Sequence, residues 1–407
     1  MRRTSARRPL PAAIAWLLIG AGLLLLGSGV LRLTGITHPV GPTPTRQERL
    51  VPTVAASPTA PATPFPPPPS PTATPPPPTA TPGVFPPPTA TSIPPTDPPR
   101  PGLFAPRQRL GVAVPLFDIA RYDMETLGAG WYLGCPDEGN PWQSIGIECA
   151  HFVGISEGAI NPDPRHIQAT ARRMPGALWL IGNEPDVIWQ SNSTPREYAQ
   201  AYHRAYTLLK EADPTAQVAI GGISQVTPLR LRYLDAVLDA YRQTYGRPMP
   251  VDVWNIHLAI LREERGSWGV DIPPGLPDET GILYEIEDNA DLGILKEQVW
   301  TFRRWMKERG LGGKPLIVTE FGVLMPPEYG FPFETVRDFM LGAFDFLLTA
   351  ADGDLGYAPD GDRLVQRFAW FSVADRTYTT GNLFDPETTR ITPLGRAFAA
   401  YAAALTP

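Results

Sequence analysis

Two glutamates stand at the ends of runs that otherwise read as buried. Glu184 closes the apolar part of "ALWLIGNEPD", Ala177 to Asp186, and Glu320 closes that of "PLIVTEFG", which begins at Pro315. Carboxylates are rarely buried without partners, so one placed directly after a buried strand is costly unless it has a task. Two carboxylates facing each other across a cleft are the apparatus of glycoside hydrolysis. One, held protonated, gives its proton to the leaving oxygen; the other attacks the anomeric carbon or activates a water. Either motif alone is short enough to arise by chance. Their shared position at strand ends is what gives the pair weight.

The elements that must position them are legible. Eight short apolar runs read as strands: "RLGVAV" from Arg109, "AGWYLG" from Ala129, "AHFVGIS" from Ala150, "ALWLIG" from Ala177, "QVAIGG" from Gln217, "VDVWNIH" from Val251, "PLIVTEFG" from Pro315 and "RFAWFSV" from Arg367. Apolar residues at helical spacing cover Pro228 to Tyr245, Leu292 to Arg309, Glu334 to Ala350 and Pro393 to Ala404. Thr194-Pro195-Arg196-Glu197 supplies a capping hydroxyl, a first-turn proline and a glutamate three residues on, so a helix should start there. This alternation over residues 107–407 predicts a (β/α)8 barrel, whose active sites sit at the C-terminal strand ends. A doubly wound open sheet usually opens with a glycine-rich first turn, which "GVAVPLFD" is not.

Carbohydrate clefts combine aromatic rings with a few polar groups. Trp370 on the eighth strand is a candidate sugar platform, with core packing as its alternative. On the sixth strand, alternation gives Asn255 and His257 one face, with His257 nearest the strand end, as a candidate site residue or as a structural, hydrogen-bonded histidine. Trp189, five residues after Glu184, and Trp268, in a long insertion at about 259–291, are candidate subsite walls. Trp131 and Tyr132 must point to opposite sides of the second strand, and which one faces inward stays open. Glu285, Glu287 and Asp288 read as a solvated acidic face or a weak calcium site. Asn192-Ser193-Thr194 fits a glycosylation sequon, although Thr194 also reads as the helix cap. No serine–histidine–aspartate triad stands out, and no cofactor or metal centre is expected.

The chain ahead of the barrel is of another kind. Of the protein's 51 prolines, 26 fall between His38 and Arg107. A Pro/Thr/Ala-rich segment of this composition cannot offset its ordering entropy, so residues 34–106 should form an unpacked stalk reaching on the order of 200 Å when extended. Arginines 2, 3, 7 and 8 precede an uncharged run, Leu10 to Leu31, long enough for a ~30 Å bilayer core. The expectation is a cytoplasmic segment 1–9, an anchor 10–33 and an extracytoplasmic remainder; a cleaved signal would export the same remainder. Outside the cell Cys135 and Cys149 are permitted to pair, with two free thiols as the alternative. A formal net charge of −6 gives no footprint for nucleic acid. A monomer acting on a neutral polysaccharide fits better.

"WLIGNEPD" and "PLIVTEFG" resemble the strand-four and strand-seven motifs of the clan A glycoside hydrolases, retaining enzymes on a (β/α)8 barrel. The resemblance implies that Glu184 is the acid/base and Glu320 the nucleophile, with Asn183 bonding the 2-hydroxyl of the sugar and His257 binding substrate or orienting the nucleophile. Retention would need the two carboxyl groups about 5 Å apart. "GWYLG", "HFVGIS" and "GNEPDVIWQSNSTPREYAQAY" further resemble the Asl1-like glycosyl hydrolases, whose characterised members act on β-1,3-glucan. The insertion at 259–291 departs from that pattern on the active-site side. The expected reaction is retaining hydrolysis of a β-linked polysaccharide; a binding-only or adhesion barrel is the rival.

Overall fold

The computed structural model describes residues 103–405, apart from 116–117 and 137–138. The expected segment 1–9, the anchor 10–33 and all but the last residues of the stalk 34–106 lie outside that range. Among the described residues no helix is long and apolar enough to cross a membrane.

All eight expected strands form. They are β1 Leu110–Val112, β2 Trp131–Leu133, β3 Glu148–Ser156, β4 Leu178–Ile181, β5 Gln217–Ile220, β6 Trp254–His257, β7 Leu316–Phe321 and β8 Arg367–Trp370. Every neighbouring pair along the path β5-β4-β3-β2-β1-β8-β7-β6 is parallel. The parallel bridges Ala219↔Val253 and Ile223↔Ile256 carry β5 onto β6 and bring the ring round. An extra strand, Ala159–Asn161, folds back as a hairpin on the end of β3. The architecture is the (β/α)8 barrel.

Alternation along the strands builds two apolar layers. Ala113, Trp131, Leu133, Ala150, Leu180, Ala219, Val253, Ile317 and Ala369 fill the barrel interior. Their neighbours Tyr132, Trp179, Ile181, Val218, Trp254, Ile256, Val318 and Phe368 face outward into the helix layer. The Trp131/Tyr132 ambiguity is thereby settled, with Trp131 inward. Its Nε1 donates to the Arg109 carbonyl, and the Arg367 guanidinium lies 4.6 Å from its ring. This large residue shares the barrel interior with four alanines.

The helices start where the sequence places caps. Thr194 Oγ1 accepts from the Glu197 N–H while the Glu197 carboxylate accepts from the Thr194 N–H, and helix Pro195–Ala212 follows. Reciprocal capping of this kind is typically worth ~1 kcal/mol. Helices Pro228–Tyr245, Leu292–Glu308, Phe333–Thr349 and Pro393–Ala404 match their expected spans to within a residue at either end. Between β2 and β3 the described residues form a single short 3₁₀ turn, and there Cys135 and Cys149 form a disulfide, Cα–Cα 5.2 Å. The clip stands where most other crossovers have a helix.

The folded domain begins slightly earlier than expected. Pro106 opens a short helix to Arg109, whose buried guanidinium pairs with buried Asp360 at 2.5 and 2.6 Å. The Leu103 N–H bonds the same carboxylate. Residues 103–106, assigned to the stalk by composition, are thus part of the barrel floor.

Candidate active site

β4 ends at Ile181, and Tyr198 fixes that end: its hydroxyl donates to the Ile181 carbonyl at 2.8 Å and accepts from the Gly221 N–H. Glu184 follows with φ +41°, a left-handed conformation uncommon for a side-chain-bearing residue. Such strain costs of order 1–3 kcal/mol and persists only where surroundings impose it. Here the Glu184 N–H donates to the Gly222 carbonyl at 3.0 Å and the Val187 N–H closes a turn onto the Glu184 carbonyl. The Asn183 backbone is bracketed by the Ser191 hydroxyl. Asp186, fully buried, accepts from the Ser224 N–H and hydroxyl and pairs with Arg230. The Asn-Glu-Pro-Asp turn is held from both flanks.

Glu320 reaches the same space by a different device. Ile317 and Thr319 face inward on β7, so strict alternation would send Glu320 outward. The β6–β7 register slips between Ile256 and His257, so that His257 pairs with Glu320. A second irregularity lies between Val318 and Phe321 against β8. A bulge of this kind re-aims one side chain, and it commonly lies beside active sites.

His257 stands between the two carboxylates. Its Nδ1 lies 3.0 Å from Glu184 Oε1 and 3.8 Å from Glu320 Oε2. One donor atom from each of the three residues falls within 4.8 Å of the others. His257 is buried, whereas the Glu184 and Glu320 side chains keep 16% and 23% of their surface open to the cleft. Gly222 makes this possible: a β-carbon there would sit 2.4 Å from His257 Cδ2. Asn255 shares the His257 face, as alternation predicted, and accepts from Thr319 Oγ1 at 2.8 Å.

The electrostatics follow from burial and crowding. Burial pushes the Glu320 carboxyl up to about 7; His257 opposes the rise, and the carboxylates of Glu184 and Asp375 add to it. For His257 burial disfavours charge, but Glu320, and after it Glu184, outweigh that and raise it above the ordinary imidazole value. His257 Nε2 is buried with no hydrogen-bond partner among the described residues. A ring carrying its single proton on Nδ1 therefore leaves no buried N–H unpaired. Glu320 and His257 thus both hold a proton more readily than the free groups do.

The aromatic candidates divide. Trp370 is fully buried on the outer face of β8, packed edge-on to Phe321 and Phe344, with Nε1 donating to the Gly381 carbonyl. It is a core residue and not a sugar platform. The next residue, Phe371, belongs to the inner layer and remains part-exposed; Tyr378 packs on it edge-on at 6.1 Å. Burial, with Glu184, Asp375 and Glu320 nearby, raises the Tyr378 hydroxyl above the usual phenol range. Phe152 is a second part-exposed ring of the inner layer. Trp189 is half-buried on the turn beyond Glu184, and Trp268 is half-buried against the outer core. In the acidic cluster, Glu285 pairs with Arg262 at 2.6 Å and its N–H donates to Asp288, so these groups build a turn.

Chemically, the site offers two partly exposed carboxylates at close range, a proton held near neutrality on Glu320 and a part-exposed aromatic ring at Phe371. One oxygen from each carboxylate lies within 4.8 Å of the other, so the two acids can act on one bond. The same three donors could also approach a small divalent ion.

No family model and no curated protein matches the chain in sequence. In structure the chain is similar to glycosidase barrels. An endo-β-1,3-glucanase of GH128 subgroup II from Pseudomonas viridiflava is 18% identical, with TM-score 0.49, covering 72% of this chain and 97% of its own. A GH128 subgroup I endo-β-1,3-glucanase from Amycolatopsis mediterranei, solved with laminaritriose, is 17% identical with TM-score 0.46, over 72% of this chain and 99% of its own. A glucosidase from Croceicoccus marinus is 12% identical with TM-score 0.49, covering 75% of this chain and 69% of its own.

Proposed function

We propose that the barrel is a retaining glycoside hydrolase acting on a β-linked polysaccharide, borne outside the cell on the proline-rich stalk and held by the N-terminal anchor. The observation that carries the catalytic reading is the gathering of Glu184, His257 and Glu320 within 4.8 Å at the mouth of the barrel. The reactive form carries the proton on Glu184, although burial favours it on Glu320 in the free site; in the first step the ionised Glu320 attacks the anomeric carbon as that proton passes to the departing oxygen. His257 Nδ1–H bonds Glu184 Oε1, which leaves Oε2 to present that proton. Esterification removes the negative charge of Glu320. Glu184, now a carboxylate, draws a proton from the incoming water, which releases the sugar and restores Glu320. In this reading Asn183 bonds the sugar's 2-hydroxyl, as the clan A resemblance implies, and Phe371 supplies the apolar platform.

The polymer to try first is β-1,3-glucan, on which characterised members of the Asl1-like family act. The full-length chain is incubated with β-1,3-, β-1,4- and mixed-linkage glucans, and new reducing ends are counted for wild type, Glu184→Gln and Glu320→Gln. Turnover lost in both variants and unaffected by EDTA supports the reading. Binding without turnover in wild type refutes it in favour of a lectin-like barrel, and turnover abolished by EDTA would assign the three donors to a metal ion.

A further inference from the structure

Behind Glu184 lies a buried ionic junction that the two-carboxylate chemistry does not use. Arg230, the third residue of helix Pro228–Tyr245, has no exposed surface, and neither do Asp186 and Glu263. A guanidinium carries five N–H groups. Each finds an acceptor here: Nη1 bonds Asp186 Oδ2 at 2.6 Å and the Asp186 carbonyl at 2.7 Å, Nε bonds Glu263 Oε1 at 2.9 Å, and Nη2 bonds the carbonyls of Asp271 at 2.7 Å and Val270 at 3.2 Å. The carboxylates are completed elsewhere, Asp186 by Ser224 and Glu263 by Thr227 Oγ1 and the Ile282 N–H.

The junction joins two distant pieces of chain. Asp186 lies two residues beyond Glu184, in the turn that holds the glutamate left-handed. Glu263, Val270 and Asp271 belong to the insertion that leaves the barrel just after His257. That insertion wraps closely: a β-carbon on Gly281 would lie 2.2 Å from Glu263 Oε2. One side chain therefore ties the Glu184 turn to the wall beside it. Removing one partner leaves an uncompensated buried charge, so the tie resists breaking.

We infer that Arg230 is a positioning residue for the proton-donating carboxylate, setting where Glu184 stands through Asp186 and locking the 259–291 insertion to it. The inference rests on the reading of Glu184 as acid/base. Lysine at 230 keeps the charge but offers three donors in place of five and no planar fork, so the Asp186 turn loses its bracing. A misplacement of about 1 Å can cost on the order of a hundredfold in rate. The loss should appear only where proton donation matters.

The test uses the full-length chain with two substrates: laminarin, whose leaving alcohol needs a proton, and dinitrophenyl β-laminaribioside, whose leaving group departs without one. Arg230→Lys is expected to lose roughly tenfold or more in kcat/KM on laminarin and less than about threefold on the aryl glycoside. Ser224→Ala, which removes one bond to Asp186, should show the same split more weakly and serves if Arg230→Lys does not fold. Parallel losses on both substrates in whichever of these variants folds would mean a purely structural junction and overturn the inference. Glu184→Gln separates the two levels. If it too loses both substrates equally, the acid/base reading itself fails; if it shows the split and the junction variants do not, only the positioning inference fails.

Discussion

His257 Nδ1 lies 3.0 Å from Glu184 Oε1, so the carboxylate at the end of the fourth strand is oriented by a buried ring on the sixth. The same nitrogen faces Glu320 at 3.8 Å. One imidazole thus couples the two acids that the proposed reaction must keep in opposite protonation states.

His257→Asn removes that coupling without emptying the site. On laminarin kcat should fall about ten- to a hundredfold with KM changed by less than about threefold, the pattern of a ring that orients a carboxylate rather than holding the sugar. Steady-state kinetics and a thermal melt decide it. A large KM change with unchanged kcat would make His257 a substrate ligand.

Glu320 makes stability depend on pH. Its carboxyl titrates near 7 in the fold against an ordinary 4.5, so between these values the folded state binds the extra proton. Stability is therefore greatest below the unfolded value and declines as pH rises to about 7, by up to roughly 3 kcal/mol. The raised His257 acts in the same direction. Glu320→Gln should therefore flatten the profile, unfolding at higher urea than wild type at pH 8 and at similar urea at pH 5. Equal profiles would show that the carboxyl is not buried against its partners.

The two neighbours on β8 should part company. Trp370→Ala empties an outer-core site and should cost about 3–5 kcal/mol. Phe371→Ala should leave the melt within a few degrees and raise KM for laminarin severalfold. The reverse pattern would restore Trp370 as the platform.

Replacing both Cys135 and Cys149 by alanine releases a loop of 14 residues' separation and should destabilise the barrel by about 3 kcal/mol. Catalysis should persist in the surviving folded protein. Thermal melts and laminarin assays on the same sample test both halves.

Much of this was legible because strands four and seven are apolar runs cut off by a carboxylate, and helix caps such as Thr194–Glu197 are local. What was hidden required register or distance. "RFAWFSV" is apolar at nearly every position, so period two cannot tell Trp370 from Phe371. The bulge that turns Glu320 inward has no residue signature. Arg230 looks like a surface charge at a helix start, because its partners Asp186 and Glu263 lie 44 and 33 residues away. Tyr378 sits in the polar stretch "DRTYTT", where nothing marks it as part of the mouth.

The most direct test of the central claim is covalent trapping. The full-length chain is treated with an activated, fluorinated β-glucoside or laminaribioside that slows the second step, and intact mass and peptide mapping follow. The account predicts a gain of one glycosyl unit, located on Glu320 and absent in Glu320→Gln. Laminarin turnover with no trapped species, or a label on Glu184, would contradict it.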